Sequence, residues 1–289
     1  MHELSHAALL FAVGASFFFG ISVLPSKQGL RYVDAQTGSM ISIGTTVCIY
    51  TLIAPFFVKW EYWSSPAIWV FMANGLIHPM ISMAMSFEAT RRMGATVSST
   101  VSSTSPWFAS VGAILLLGEW PTTSNMAGTV VTVLGIMLLT YDPGGTRAWK
   151  RSDLLFALAA AVVRGSNNLI GKYGLELLSV PFMAAWLSFC VSLTGSVTVY
   201  RVRHGALPLK LPKLGVRWFA VTGTCISCAI LCMYTALSLG SVVVVSPIVA
   251  AFPIWTLIFS LLLRQEIFSL KVLAGVLVVV AGVVLIALR

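Results

Sequence analysis

Charge is what this chain has least of. Asp, Glu, Lys and Arg together make up 9% of its 289 residues, and nine of them are acidic, where a soluble domain carries roughly a quarter charged residues. That scarcity excludes an ordinary soluble fold. Histidine is scarce too: His2, His6, His78 and His204 are scattered. No cluster of His, Cys and carboxylate has the spacing that an integral-membrane acyl or phospho transferase needs near an interface. The five cysteines, Cys48, Cys190, Cys225, Cys228 and Cys232, all fall in apolar stretches, so neither a disulfide framework nor a cytosolic redox motif fits. Cys225, Cys228 and Cys232 lie on one helical stripe with no histidine or carboxylate nearby and read as small-residue packing. No catalytic residue, metal site or cofactor is expected.

What the chain has is apolar length. Hydrophobic residues make up 58% and the mean hydropathy is +0.93. A hydrocarbon core about 30 Å thick needs about 20 apolar residues per helix. The sequence divides into ten such stretches, at 7–26, 37–58, 66–87, 95–117, 124–141, 153–171, 181–200, 216–237, 243–263 and 270–288. The expected fold is an all-α integral membrane protein of ten transmembrane helices. Met1 to His6 carries no basic n-region, so no cleavable signal is expected and the first helix belongs to the mature structure.

The net charge of +9 is best taken loop by loop, because basic residues near span ends stay cytoplasmic. With both termini outside, the cytoplasmic loops hold fourteen basic residues (Lys27, Arg31, Arg91, Arg92, Arg147, Lys150, Arg151, Arg201, Arg203, Lys210, Lys213, Arg217, Arg264 and Lys271) and the outer side three, Lys59, Lys172 and Arg289. This predicts a multi-pass protein of the cell's inner membrane with both termini on the non-cytoplasmic side. It also explains the basic balance without nucleic acid, since anionic headgroups of the lipid bilayer are the natural partner of such loops. The count leaves the oligomeric state open.

The two halves repeat. Gly20 and Lys27 recur as Gly165 and Lys172, a shift of 145, while Pro106, Glu119, Gly128 and Gly135 recur as Pro253, Glu266, Gly275 and Gly282, a shift of 147. Phe87-Glu88-Ala89 recurs as Tyr234-Thr235-Ala236 at the second shift. Five spans per repeat, 1–147 and 148–289, send the second copy into the membrane from the opposite face. Inverted repeats of this kind are the usual construction of secondary transporters, with a site near the midplane between the halves and alternating access by rocking. A passive channel fits that pattern less well.

Three segments carry a family resemblance: FFGISVLPSKQGL in the first span, MGATVSSTVSSTSPWFASVGAILLLGEWPTTSNMAGTVVTVLGIMLL in the first half, and LGSVVVVSPIVAAFPIWTLIFSLLLRQEIFSLKVLAGVLVVVAGVVLI in the second. The chain resembles the drug/metabolite transporter (DMT) superfamily, and within it the EamA-type ten-helix permeases, over essentially its whole length. The resemblance implies a transporter of small organic solutes, often an exporter of amino acids, other metabolites or toxic compounds, with a central cavity between the halves. One departure is Arg264-Gln265-Glu266 where the first half has Gly118-Glu119.

Within ALAAAVVRGSNNLIGKYG, Arg164 stands in the middle of a predicted span. Arg164 follows Asp153 by eleven residues, which at 1.5 Å per residue puts it about 16 Å along its helix, near the midplane. A charge there costs about 2.5–3.5 kcal/mol by insertion measurements, so it normally faces a partner or an aqueous cavity. Asn167, Asn168 and Lys172 follow at i+3, i+4 and i+8. A carboxylate matches this cationic, amide-rich face, because guanidinium offers a fixed fork of donors. The alternative is an ion pair of Arg164 with Glu88 that locks two helices.

On the third span, Asn74 and His78 share a face, followed by Pro79 and Ser82. His78 is a candidate for proton coupling because imidazole titrates near neutrality, with Glu88 as a second candidate. A neutral histidine bonded to backbone near the Pro79 kink has the same pattern. The fourth span carries a serine stripe, Ser98 and Ser102 foremost, that either lines a cavity or lets helices approach closely. Trp107 and Tyr234 are candidate walls, though membrane aromatics also serve packing. Glu119 and Glu266 are explained by the helix N-termini they precede.

The expected function is a proton-coupled or exchange-type carrier of a small carboxylated or zwitterionic metabolite, amino acids first. In this reading Arg164 anchors the carboxylate and Asn167 and Asn168 orient it. Asn74 and His78 face it across the cavity. The rival reading, a multidrug exporter of organic cations, would need a deep carboxylate, and none of the nine acids falls in the middle third of a span.

Overall fold

The computed structural model describes residues 6–109, 123–140, 149–207, 211–240, 242–263 and 270–287, and all regular structure among them is helical. The main helices are α1 (His6–Gly29), α2 (Ala35–Phe57), α3 (Ala67–Ile77), α4 (Met80–Met93), α5 (Ala95–Ser102), α6 (Thr123–Thr140), α7 (Leu154–Leu177), α8 (Pro181–His204), α9 (Lys213–Leu239), α10 (Val242–Ala250), α11 (Phe252–Leu262) and α12 (Leu270–Ala287). Six stretches of 23 to 27 residues are long and apolar enough to cross a bilayer, and two shorter apolar helices, Ile248–Leu262 and Leu270–Gly282, join them. Apolar side chains such as Leu10, Leu52, Phe56 and Trp69 point outward, while Ser42, Thr46, Thr100, Ser192 and Thr256 are fully buried. That inside-out distribution suits a hydrocarbon surround, where only polar groups must find partners inside.

Local chemistry sets the ends. Asp34 caps α2 through the Thr37 N–H, 2.9 Å from its Oδ1, and accepts from the Thr37 hydroxyl at 2.6 Å. The predicted third span, 66–87, runs on to Met93 and breaks at His78–Pro79. Proline removes a backbone donor and stops the first piece. Glu88 with Arg91 and Arg92 stabilises the last turn, and Gly94 ends it with φ +82°, a conformation open to glycine. The fourth and ninth predicted spans are likewise broken, at Ser103–Thr104 and at Ala251. Around each break the chain tightens to i→i−3 bonding: Thr104 N–H to Val101 O and Ala251 N–H to Ile248 O, both 3.2 Å. These two breaks are 147 residues apart. Glu119 and Glu266 lie outside the described residues, as do His2, Arg147, Lys210, Arg264 and Arg289.

Contacts between the halves come in exchanged pairs. A Cβ on Gly20 of α1 would run into the Phe252 carbonyl and Trp255 Cβ, and one on Gly165 of α7 into the Ser105 carbonyl and Phe108 Cβ, so at both places the helices pass closely. Each residue of one pair is the repeat mate of a residue of the other, at shifts of 145 and 147. Ser42 donates to the Phe219 carbonyl at 3.0 Å and Ser188 to the Phe71 carbonyl at 2.9 Å. Thr46 and Ser192 do the same to Gly223 and Gly75. On α6 and α12, Gly135 packs on Val279 while Gly282 packs on Thr132. A contact that recurs with its partners swapped is the mark of an isologous, two-fold type of pairing. Small residues let the backbones close up, and each cross-helix hydroxyl bond contributes about 0.6 kcal/mol in a membrane protein.

Candidate substrate cavity

The cavity lies between α1, α4 and α5 of the first half and α7, α8, α9 and α11 of the second. It is a small cavity, with a volume of about 60 Å³. Its polar wall is almost all hydroxyl: Ser22 and Ser26 from α1, Ser82 and Ser86 from α4, and Ser98, Ser99 and Ser102 from α5. Rings and branched chains, among them Phe19, Phe189, Ile230 and Phe252, close the rest. No acidic residue lines it among the described residues.

Arg164 is the cation of this cavity. It is half-buried, and its guanidinium lies over two rings, 5.8 Å from the centroid of Phe19 and 5.3 Å from that of Phe252. Such stacking stabilises a desolvated cation by about 2 kcal/mol. Its one hydrogen bond among the described residues is Nη2 to Ser86 Oγ, 3.3 Å, and no described carboxylate pairs with it. Glu88 accepts instead from Arg91 Nε at 2.8 Å and from Arg92 Nε at 2.5 Å. Arg92 also bridges the halves, with Nη1 2.9 Å from Asp153 Oδ1.

The residues singled out in the sequence divide between two places. Arg164, His78, Ser98 and Ser102 share the cavity wall. Ser82 Oγ is 2.7 Å from His78 Nδ1, and His78 Nε2 is buried without a hydrogen-bond partner among the described residues. One helical turn away, Asn74, Asn167 and Tyr234 form a separate buried cluster. Asn74 Nδ2 donates to Asn167 Oδ1 at 2.7 Å and to the Tyr234 hydroxyl at 3.1 Å, and that hydroxyl donates to Asn167 Oδ1 at 3.0 Å. Asn168 donates to Ser246 Oγ at 3.1 Å. Lys172 reaches the Leu237 and Gly240 carbonyls at 3.0 and 3.3 Å, satisfying the end of α9. Trp107 packs edge-on against Phe108 and does not line the cavity.

Sequence reasoning gave no ligand role to Ser22, Ser26, Ser86 or Phe252. The i, i+4 spacing of Ser22 with Ser26, and of Ser82 with Ser86, is the signal that marks two more hydroxyl faces. Tyr234→Phe removes one member of the amide cluster and leaves two buried amides short of a partner. It is expected to lower stability by roughly 1–3 kcal/mol, seen as a fall in the unfolding temperature in detergent.

A polytopic helical membrane protein with a hydroxyl-walled cavity around the Arg164 guanidinium, lined from both halves, is the class that fold and site define. The chain belongs to the EamA-like transporter family, whose model matches residues 6–141 and 151–288. It is therefore a transporter-family protein of the DMT type. No curated protein matches it in sequence. Among 28 matching chains of solved structures, one described as a crystal structure of a protein superposes with a TM-score of 0.70 at 13% identity, covering 96% of this chain and 95% of that one. At that identity the likeness speaks for the fold alone.

Proposed function

We propose that the chain is a secondary active carrier of small carboxylated metabolites, working by alternating access from ten membrane helices arranged as two inverted copies, 1–147 and 148–289. The observation that carries the substrate class is Arg164, a cation in a cavity with no carboxylate partner among the described residues; the helix rise from Asp153 supports a mid-membrane depth for it. A charge so placed is stabilised by an anion that comes and goes. The exchanged contacts support a two-fold relation between the halves, and five spans per half, an odd number, support an axis in the membrane plane. An organic-cation exporter finds no support in a cavity whose wall has a guanidinium and no acid.

Two connections between the halves lie on either side of Arg164 along α7. Arg92–Asp153 lies at the α7 start, and the Asn74–Asn167–Tyr234 cluster lies one turn beyond Arg164. Opening the cavity to each side in turn would break one and keep the other. The basic-loop count supports an inner-membrane location with both termini outside. The remaining partners in this reading are lipid and the proton as coupling ion, with no role for nucleic acid or for enzymatic chemistry.

The test is counterflow in proteoliposomes. Saturable uptake of a labelled monocarboxylate, driven by the same unlabelled compound inside, is expected, and the absence of flux for every carboxylate tried would overturn the reading. His78→Gln is expected to keep counterflow while altering its pH dependence. An unaltered profile would remove His78 from coupling.

A further inference from the structure

We propose that the preferred ligand is a hydroxylated monocarboxylate without an ammonium group, so that a hydroxy acid is selected over the amino acid of the same shape. The inference rests on the anion-site reading above and narrows it. Its first ground is charge. Among the described residues the wall holds one guanidinium and no acid, so with His78 neutral a monoanion makes the occupied cavity neutral. A zwitterion leaves it with the same net positive charge as before, and a dianion leaves it negative. In surroundings of low dielectric a net charge is expensive, and neutral occupancy is favoured.

The second ground is the direction of the hydroxyls. Ser22 and Ser26 donate their protons to the Phe19 and Val23 carbonyls of their own helix, both at 2.7 Å, and Ser99 to that of Thr96 at 2.9 Å. With the protons committed, these oxygens offer lone pairs to the cavity. Substrate hydroxyls are the neutral donors that meet them. An ammonium would meet them too, but with no counter-charge and in the field of Arg164. The cavity's small volume suits a solute of few heavy atoms.

Glycerate and serine test this directly, since they differ by one hydroxyl in place of one ammonium. Counterflow of labelled glycerate is measured in proteoliposomes with unlabelled glycerate, lactate, serine, alanine and malonate as competitors, at constant ionic strength. Glycerate and lactate are expected to compete at concentrations about ten-fold or more below serine, alanine and malonate, as the loss of one net charge's worth of compensation implies. Serine competing as well as glycerate would overturn this inference and leave the anion site standing. No saturable glycerate flux, or glycerate flux unchanged in Arg164→Met, would overturn the anion site and the inference with it. Arg164→Lys keeps the charge should the Met variant fail to fold. It is expected to keep the same order of competitors at weaker affinity, and a reversed order would contradict the charge argument.

Discussion

Replacing Arg164 with methionine is expected to abolish saturable carboxylate flux while leaving a protein at least as stable as the parent. Truncating one side of a desolvated, hydrogen-bonded charge pair costs about 2–5 kcal/mol of binding, a fall of roughly thirty-fold to several thousand-fold in affinity. Stability moves the other way, because a mid-membrane cation costs about 2.5–3.5 kcal/mol to insert. The Phe19 and Phe252 rings return part of that by stacking, and methionine keeps contact with both. Unfolding temperature and counterflow, measured on one preparation, read the two effects separately. A structural ion-pair arginine would give the opposite pair of results, lower stability with transport kept. The ion-pair arrangement weighed from the sequence is absent among the described residues, since Glu88 bonds to Arg91 and Arg92.

The second large effect is expected at the helix crossings. An alanine at Gly165 would put its Cβ 2.6 Å from the Ser105 carbonyl and 2.9 Å from the Ala109 nitrogen, and at Gly20 it would meet the Phe252 carbonyl at 2.7 Å. These are backbone atoms, so the helices themselves must separate. Overpacking of this kind costs about 1–3 kcal/mol, occasionally more. Because the two contacts are repeat mates, Gly20→Ala and Gly165→Ala are expected to suffer alike, with loss of monodisperse protein and a lowered unfolding temperature. Gly44 is the control, its nearest neighbour being Leu193 Cδ1 at 3.7 Å. If Gly165→Ala behaves like Gly44→Ala, the close crossing is not there in solution.

Much of this was legible in the sequence because it rests on strong one-dimensional signals. A single charge in an apolar run marks Arg164 whatever its neighbours, and the register shifts of 145 and 147 mark the repeat whose exchanged contacts the structure displays. What was not legible is which helix each polar face meets. Asn167 and Asn168 both fall near the Arg164 face by spacing, yet adjacent helical residues point about 100° apart. Asn167 thus meets Asn74 and Tyr234, while Asn168 meets Ser246. Asn74 and His78 were grouped by the i, i+4 rule, and the break at Pro79 parts them: His78 lines the cavity and Asn74 does not. The serine pattern does not separate the two roles, since the same residue type serves tight packing at Ser188 and cavity wall at Ser86. The breaks at Thr104 and Ala251 follow from Pro106 and Pro253, which the sequence shows plainly.

The most direct measurement is the distance between the bound carboxylate and the guanidinium. Protein labelled with ¹⁵N at arginine is reconstituted in lipid and saturated with ¹³C-carboxyl glycerate, and the carboxyl signal is followed by solid-state NMR dipolar dephasing. Direct hydrogen bonding places that carbon about 4 Å from the guanidinium nitrogens, so dephasing is predicted in the parent and absent in Arg164→Lys. A saturably bound carboxylate that shows no dephasing in the parent, or the same dephasing in both proteins, would contradict the account.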